Sequence, residues 1–429
     1  MKNKLFILML VSVFLLSAVG TAFAFDDVIK IGAAVCLTGK MAYEGNLVKQ
    51  GYEVWENWVN NHGGITAGGK TYGVEIIYYD DESDPVRGAK LTERLITEDK
   101  VDFIGGPYSS AITFATSAIG EKYGIITIAP MANATNIYER GYKYIFSVLP
   151  PAPMLMVPIA HMMDEMLDPK PKKVAIISAN DLFPLSCAVG FRDRCEELGF
   201  DVVLFEKYPP GATDISALLT KVKGLNPDVL GVAGYTADSL MTIRQCKELD
   251  VNPRLYAFSV GVMVPAFIDE MGPDGNYVVE GEWWLPGMKG LDSVFGTTAD
   301  YVQACKDLFG EDFRAQYWTA GASAAGSILQ LAIEKADSIE TDKVRETLLS
   351  LDIELATWPA IAFNEKGQNI RWQHPVIQVQ DGEFVIVYPK ADQQNAPIYP
   401  TPTWKNRYCL LYTSPSPRDR TRSRMPSSA

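Results

Sequence analysis

Short apolar runs and longer amphipathic ones alternate along this chain, and the alternation runs through twice. In the first pass Val28–Val35 reads as a buried strand and Gly45–Asn61 as a helix with Val48, Tyr52, Trp55 and Val59 on one face. Gly63-Gly64 ends that helix. Tyr72–Tyr79 is then strand, Pro85–Glu98 helix, Val101–Gly105 strand, Ser110–Tyr123 helix and Ile125–Ile128 strand. Pro150, Pro151 and Pro153 break the pattern. It restarts with strands at Val174–Ile177, Val202–Phe205, Val229–Ala233 and Leu255–Phe258, separated by helices at Pro184–Leu198, Ile215–Val222 and Ala237–Leu249. Strands joined through helices pair in parallel and are covered on both faces, so the fold class is α/β with two doubly wound parallel sheets in succession. Two such units leave a crevice between them, beyond the carboxyl ends of their strands.

Past Gly281 comes an aromatic run, Glu282-Trp283-Trp284-Leu285-Pro286, followed by helices predicted at Thr297–Phe309, Trp318–Ala336 and Thr341–Leu349. A hairpin of Ile370–Gln378 and Glu383–Tyr388 turns at Asp381-Gly382. The body's last contacts are expected near Trp404. In residues 408–429, Tyr408–Tyr412 is followed by Ser, Pro and Arg without an apolar period, which predicts disorder. That tail reads as an artefact of cloning or sequencing rather than a basic interaction segment.

At the other end Lys2 and Lys4 precede the apolar run Leu5–Val19 and the small-x-small Ala22-Phe23-Ala24. This order reads as a secretory signal peptide, residues 1–24. A membrane anchor would need about 20 apolar residues and basic rather than small residues after them. Cys36 lies too far beyond the run to be a lipid-bearing cysteine. The expected location is therefore periplasmic or otherwise extracytoplasmic, soluble after cleavage, where ATP, NADH and a reducing thiol pool are absent.

The formal charge of −13 understates the body's acidity: the first 24 residues hold two lysines and residues 408–429 four arginines and one aspartate, which leaves −18 between them. Such a surface repels nucleic acid and anionic lipid. The six cysteines (36, 187, 195, 246, 305 and 409) form no C-x-x-C pair, and the three histidines (62, 161 and 374) are far apart. A disulfide scaffold and a zinc site are both disfavoured, and no metal site is expected, although a carboxylate calcium site stays open.

Gly64-Ile65-Thr66-Ala67-Gly68-Gly69-Lys70-Thr71 spells the phosphate-binding loop, but a helix precedes it and a strand follows, the reverse of what phosphate binding needs. It reads as a glycine-rich turn. Asp80, Asp81, Glu82 and Asp84 before Pro85 read as a strand end and helix cap rather than a metal cluster. No nucleophile-and-base set is visible, so no catalytic residue is assigned and an enzyme is not expected. Gly105-Gly106-Pro107-Tyr108-Ser109-Ser110 joins a strand tip to a helix, where hydroxyls, backbone N–H groups and the positive helix end together suit a carboxylate. Met131, Ala132 and Asn133 sit at the next strand tip, and Tyr235 holds the equivalent place in the second unit.

These residues resemble the type I periplasmic binding proteins of the leucine/isoleucine/valine-binding family, solute receptors of ABC importers. The match runs from about Val28 to about Tyr388 through Ile29-Lys30-Ile31-Gly32, Leu37-Thr38-Gly39, Asn61-His62-Gly63-Gly64-Ile65, Gly106-Pro107-Tyr108-Ser109-Ser110 and Phe363-Asn364-Glu365-Lys366-Gly367. The resemblance implies two lobes joined by a three-strand hinge, a flytrap architecture. Residues 25–149 with 284–362 would form one lobe and 150–283 with 363–407 the other, with crossings near Leu149–Pro151, Gly281–Trp284 and Ala362–Asn364. It implies a ligand carboxylate at Ser109, backbone contact at Met131, Asn133 where relatives carry a hydroxyl, Tyr235 from the second lobe and Phe183 as an aromatic cover. Tyr43 or Glu44 falls at the first-loop contact. Where relatives place an acid against the ligand ammonium, this chain reads Ser259-Val260-Gly261, so either Glu44 substitutes or the ligand lacks an amine. Tyr108, Phe183, Tyr235 and Trp284 favour an apolar or aromatic body. The expected ligand is a branched-chain or other hydrophobic amino acid, then an aromatic or hydrophobic carboxylic acid or small amide. A sensory ectodomain is the rival from another class. Expected partners are that small molecule and a membrane ABC permease, with no cofactor and no nucleic acid, and the protein acting as a monomer.

Overall fold

The computed structural model describes residues 24–371 and 374–407. The expectations for the signal peptide and for residues 408–429 fall outside them. The first sheet is made by β1 (Asp27–Val35), α1 (Ala42–Asn61), β2 (Ile65–Ala67), β3 (Lys70–Asp80), α2 (Pro85–Thr97), β4 (Phe103–Gly105), α3 (Ser110–Tyr123), β5 (Thr127–Ala129), the short α4 (Thr135–Tyr138) and β6 (Ile145–Ser147). Its strands run in the order β2-β3-β1-β4-β5-β6, all parallel except β2.

The second sheet follows from α5 (Val157–Glu165), β7 (Lys173–Ala179), α6 (Leu182–Glu197), β8 (Asp201–Tyr208), α7 (Ser216–Leu225), β9 (Val229–Ala233), α8 (Thr236–Glu248), β10 (Leu255–Phe258), α9 (Pro265–Met271) and β11 (Val278–Gly281). Two small strands, β12 (Leu291–Asp292) and β13 (Gly296–Thr297), lead into α10 (Thr298–Phe309), α11 (Tyr317–Ala336) and α12 (Thr341–Leu349). After β14 (Asp352–Ile353) and β15 (Ile361–Ala362), the hairpin β16 (Val376–Gln380) and β17 (Glu383–Tyr388) completes the second sheet in the order β17-β16-β11-β10-β9-β7-β8.

Local chemistry accounts for these elements. Asp84 accepts from Arg87 N with Pro85 in the first helical turn, so the acidic run caps α2 as its sequence suggests. Asp80 takes the backbone N–H groups of Leu37 and Thr38, which ties the loop after β1 to the end of β3. The apparent phosphate loop is a tight β2-β3 hairpin with Thr66 paired to Thr71; Gly68 and Gly69 turn it at φ +58° and +72°, a backbone that suits glycine. The expected turn is thus a hairpin, and the N–H of Gly68 at its tip donates to Asp337 Oδ1 at 2.6 Å.

Helix α11 returns to the first sheet and packs along α1. A Cβ at Gly51 would lie 2.1 Å from Thr319 O, so the contact needs glycine, and Ser323 Oγ donates to Gly51 O at 2.6 Å. Five cysteines are buried and unbridged among the described residues. The last segment holds beyond Trp404. Arg407 is buried, donates through Nη1 to Asp274 O at 2.6 Å and lies 3.7 Å over the Trp404 ring.

In both sheets the strand order reverses direction at a point facing the other lobe: between β1 and β4 in the first, between β7 and β9 in the second. Ligand crevices form at such switch points. The loops that leave them carry Tyr108 and Ser109 on one side, Phe183 and Tyr235 on the other. Among the described residues no helix is long and apolar enough to cross a membrane, and no group of His, Cys, Asp or Glu is placed to hold a metal ion.

Candidate functional site

Ser109 and Ser110 stand at the head of α3. Ser109 Oγ accepts from Ile112 N at 3.2 Å as the helix cap, and Ser110 Oγ accepts from Ala134 N at 3.3 Å. Each hydroxyl still has its proton to donate. Facing them, at the head of α8, Tyr235 lies 5.8 Å from Phe183 and 6.2 Å from Tyr108 between ring centroids. Trp283, on the passage out of β11, packs on Phe183 at 6.1 Å and on Tyr317, the first residue of α11, at 5.2 Å. With Met131 these residues enclose an interlobe space of about 10 Å³, room for a single water. Five rings, a thioether and two hydroxyls line it, with no charged side chain. Burial pushes the Tyr108, Tyr235 and Tyr317 phenols well above their usual range, so they stay neutral donors.

The structure thus brings together Tyr108, Ser109, Ser110, Met131, Phe183 and Tyr235, and adds Trp283 and Tyr317. The other candidates stand around the cage. Glu44 is buried on α1, and its Oε1 accepts from Thr236 Oγ1 of α8 at 2.9 Å, a hydrogen bond between lobes. It lines a wider cleft of about 470 Å³ beside Tyr235, Asp181 and Asp238. Tyr43 is 41% exposed and turns its ring edge to Trp318. Asn133 donates to Pro150 O at 2.6 Å at the first crossing, Ala132 O accepts from Tyr138, and Val260 O accepts from Ser239. Trp284 points its edge at Tyr301, 5.8 Å away, and borders a separate cleft of about 390 Å³. Adjacent residues leaving a strand face opposite ways. Of the pair Trp283-Trp284 the sequence reading chose Trp284, whereas it is Trp283 that borders the cage, and Tyr317 went unnoticed because the helix was predicted to begin at Trp318.

An acid stands behind the neutral loop Ser259-Val260-Gly261, supplied by the neighbouring strand. Glu280 of β11 accepts from Val262 N at 2.8 Å, and only in its ionised form would it raise the Tyr108 and Tyr317 phenols further. Burial, and after it the nearby Glu282, hold Glu280 well above the usual carboxylate range. Glu282 accepts from Trp283 N at 2.8 Å and is pushed up to about 8, again by burial first.

Two α/β lobes that close a small uncharged cage at paired switch points define an interlobe solute-binding protein. Comparison with known proteins agrees. The periplasmic binding protein family matches residues 28–383, and the chain belongs to it. Its members bind solutes and are not enzymes. A Leu/Ile/Val-binding protein homolog 8 of Brucella suis is 28% identical over 390 residues, covering 87% of this chain and 94% of the relative. The leucine-binding protein LivK of Thermotoga maritima superposes with a TM-score of 0.73 at 22% identity, covering 84% of this chain and 97% of that one. A Rhodopseudomonas palustris solute-binding protein in complex with 4-hydroxybenzoate superposes with a TM-score of 0.72 at 19% identity, covering 84% and 95%. These likenesses establish the two-lobed fold, and the family places such chains outside the cytoplasm.

Proposed function

We propose that this protein captures a small carboxylate with an aromatic or compact apolar body between its lobes, as a monomeric, freely diffusing receptor delivering to a membrane ABC permease. One observation carries the reading: the cage combines two helix-head hydroxyls with five aromatic rings and has no charged side chain. Ser109 and Ser110 take the carboxylate, helped by the positive end of α3. Phe183, Tyr235 and Tyr108 cover the body. Residues 25–149 with 284–362, and 150–283 with 363–407, act as the two moving bodies. The enclosed space is smaller than any such ligand, so the rings must part and close again around it. The ligand's preference for the closed arrangement is what drives closure.

An uncharged lining favours a carboxylate without an amine, of the kind the Rhodopseudomonas palustris relative holds. Glu280 supports a second reading, a hydrophobic amino acid, since an ammonium reaching behind the Val260 loop would draw that carboxyl into its charged form. Thermal unfolding with 4-hydroxybenzoate, benzoate, leucine, isoleucine and phenylalanine separates the two. A ligand at about 100 times its Kd adds roughly 2.7 kcal/mol. Stabilisation by the benzoates alone supports the first reading, stabilisation by the amino acids alone the second. No shift with any of them overturns both.

A further inference from the structure

We propose that the indole N–H of Trp283 is a third donor to the ligand carboxylate, placed on the passage between the lobes so that binding engages the hinge; this rests on the carboxylate reading above. Trp283 is 3% exposed, and its Nε1 has no hydrogen-bond partner among the described residues. A buried N–H left unpaired calls for a partner, an ordered water or a ligand atom, or else marks strain. Its ring borders the same small space as the Ser109 and Ser110 hydroxyls, and also a cavity of about 200 Å³ lined by Pro150, Trp358 and Arg371; an N–H turned to the first of these meets an oxygen held by the serines. The rings around Trp283 come from different parts of the chain: Phe183 from the second lobe, Tyr317 from the first, and His374, 6.2 Å away, from the last passage. That geometry exists only when the lobes meet. A hydrogen bond to the indole is thus made in the closed arrangement, which lengthens the lifetime of the complex rather than speeding its formation.

Trp284 supplies the control, because its Nε1 is also buried without a partner among the described residues yet its ring borders another cleft. Trp283→Phe and Trp284→Phe both delete an indole N–H from a buried ring. Titration calorimetry and stopped-flow dissociation with 4-hydroxybenzoate and leucine, whichever the wild type binds, should show about 10- to 100-fold weaker binding for Trp283→Phe, expressed as faster dissociation. Trp284→Phe should change affinity less than about twofold. Where 4-hydroxybenzoate binds, the preference for it over 4-hydroxybenzamide should also shrink in Trp283→Phe, because an N–H serves an anion better than an amide; general damage to the cage would weaken both equally. Wild-type affinity in Trp283→Phe, or an equal loss in both variants, overturns the inference. If Ser109→Ala weakens binding while Trp283→Phe does not, the carboxylate reading stands and only the role of Trp283 falls. If the wild type binds neither carboxylate, both fall together.

Discussion

The first lobe meets the cleft with two helix-head hydroxyls beside the rings of Tyr108 and Tyr317; the second meets it with rings alone, Phe183 and Tyr235. Ser109 and Ser110 are held by backbone N–H groups of Ile112 and Ala134, and Met131 sits on the neighbouring strand tip. Phe183 and Tyr235 instead lean on each other, and Tyr235 OH donates to Asp181 at 3.3 Å. Rings from both sides cover area, and only the first side adds helix-head hydroxyls that fix an orientation. Ring area is therefore expected to dominate affinity and the hydroxyls to dominate selection. Tyr235→Ala should weaken ligand binding about 100-fold, the scale of a lost aromatic anchor. Ser109→Ala should weaken it about tenfold, with thermal stability lowered by about 1 kcal/mol through the lost cap. Calorimetry on both variants ranks the two faces. Equal losses would break the division of labour, and wild-type affinity in both would remove the cage from the binding site.

The same contrast extends to charge, because the passages behind the cage carry buried acids on the second-lobe side. Glu282 is released from its proton only near pH 8 when folded, against about 4.5 when exposed. Between those values the folded state holds more protons than the unfolded one, so this group makes stability fall as pH rises. His374 acts in the opposite sense: burial lowers it to about 3 from 6.5, so its contribution is lost as pH drops below 6.5. Glu282→Gln should flatten the decline between pH 5 and 8, by at most about 1.4 kcal/mol per pH unit, in urea titrations repeated across that range. An unchanged slope would mean that Glu282 is not the group that responds.

The architecture was legible because its signal is long and repetitive. Strand-helix alternation over Val28–Phe258, the proline break at 150–153 and the Asp381-Gly382 hairpin turn were each readable from local periodicity, whereas the strand orders were not. Ser109, Ser110, Phe183 and Tyr235 were within reach for a related reason: each follows a strand that ends at a switch point. What stayed hidden depends on facing and on partners far away in the chain. Trp283 and Trp284 are indistinguishable by composition, and only the direction in which the chain leaves β11 separates them. Glu280 lies in a stretch to which the sequence reading gave no element, and nothing local says that its carboxyl reaches under the loop of the neighbouring strand to Val262. Asn133 looked like a ligand donor at a strand tip, yet its amide is directed at Pro150 O of the first crossing.

The smallest expected effect probes the one side-chain hydrogen bond described above that joins the two faces directly. Thr236 Oγ1 donates to Glu44 Oε1 at 2.9 Å from α8 to α1, and both side chains are buried. Burial pushes the Glu44 carboxyl up, and the Thr236 hydroxyl is among the groups that hold it down. Removing that donor leaves a buried acid with less to stabilise its charge, so the closed arrangement loses stability while the open one, where Glu44 meets water, does not. Thr236→Val keeps the shape and deletes the donor. It should raise the ligand Kd about three- to tenfold through faster release, with stability of the ligand-free protein changed by less than about 1 kcal/mol. Binding should also become more pH-dependent, since a Glu44 no longer held by Thr236 takes up a proton at higher pH. Stopped-flow dissociation across pH 5 to 8 reads both effects. Unchanged release would show that the lobes close without this contact, leaving the ring face alone to hold them together.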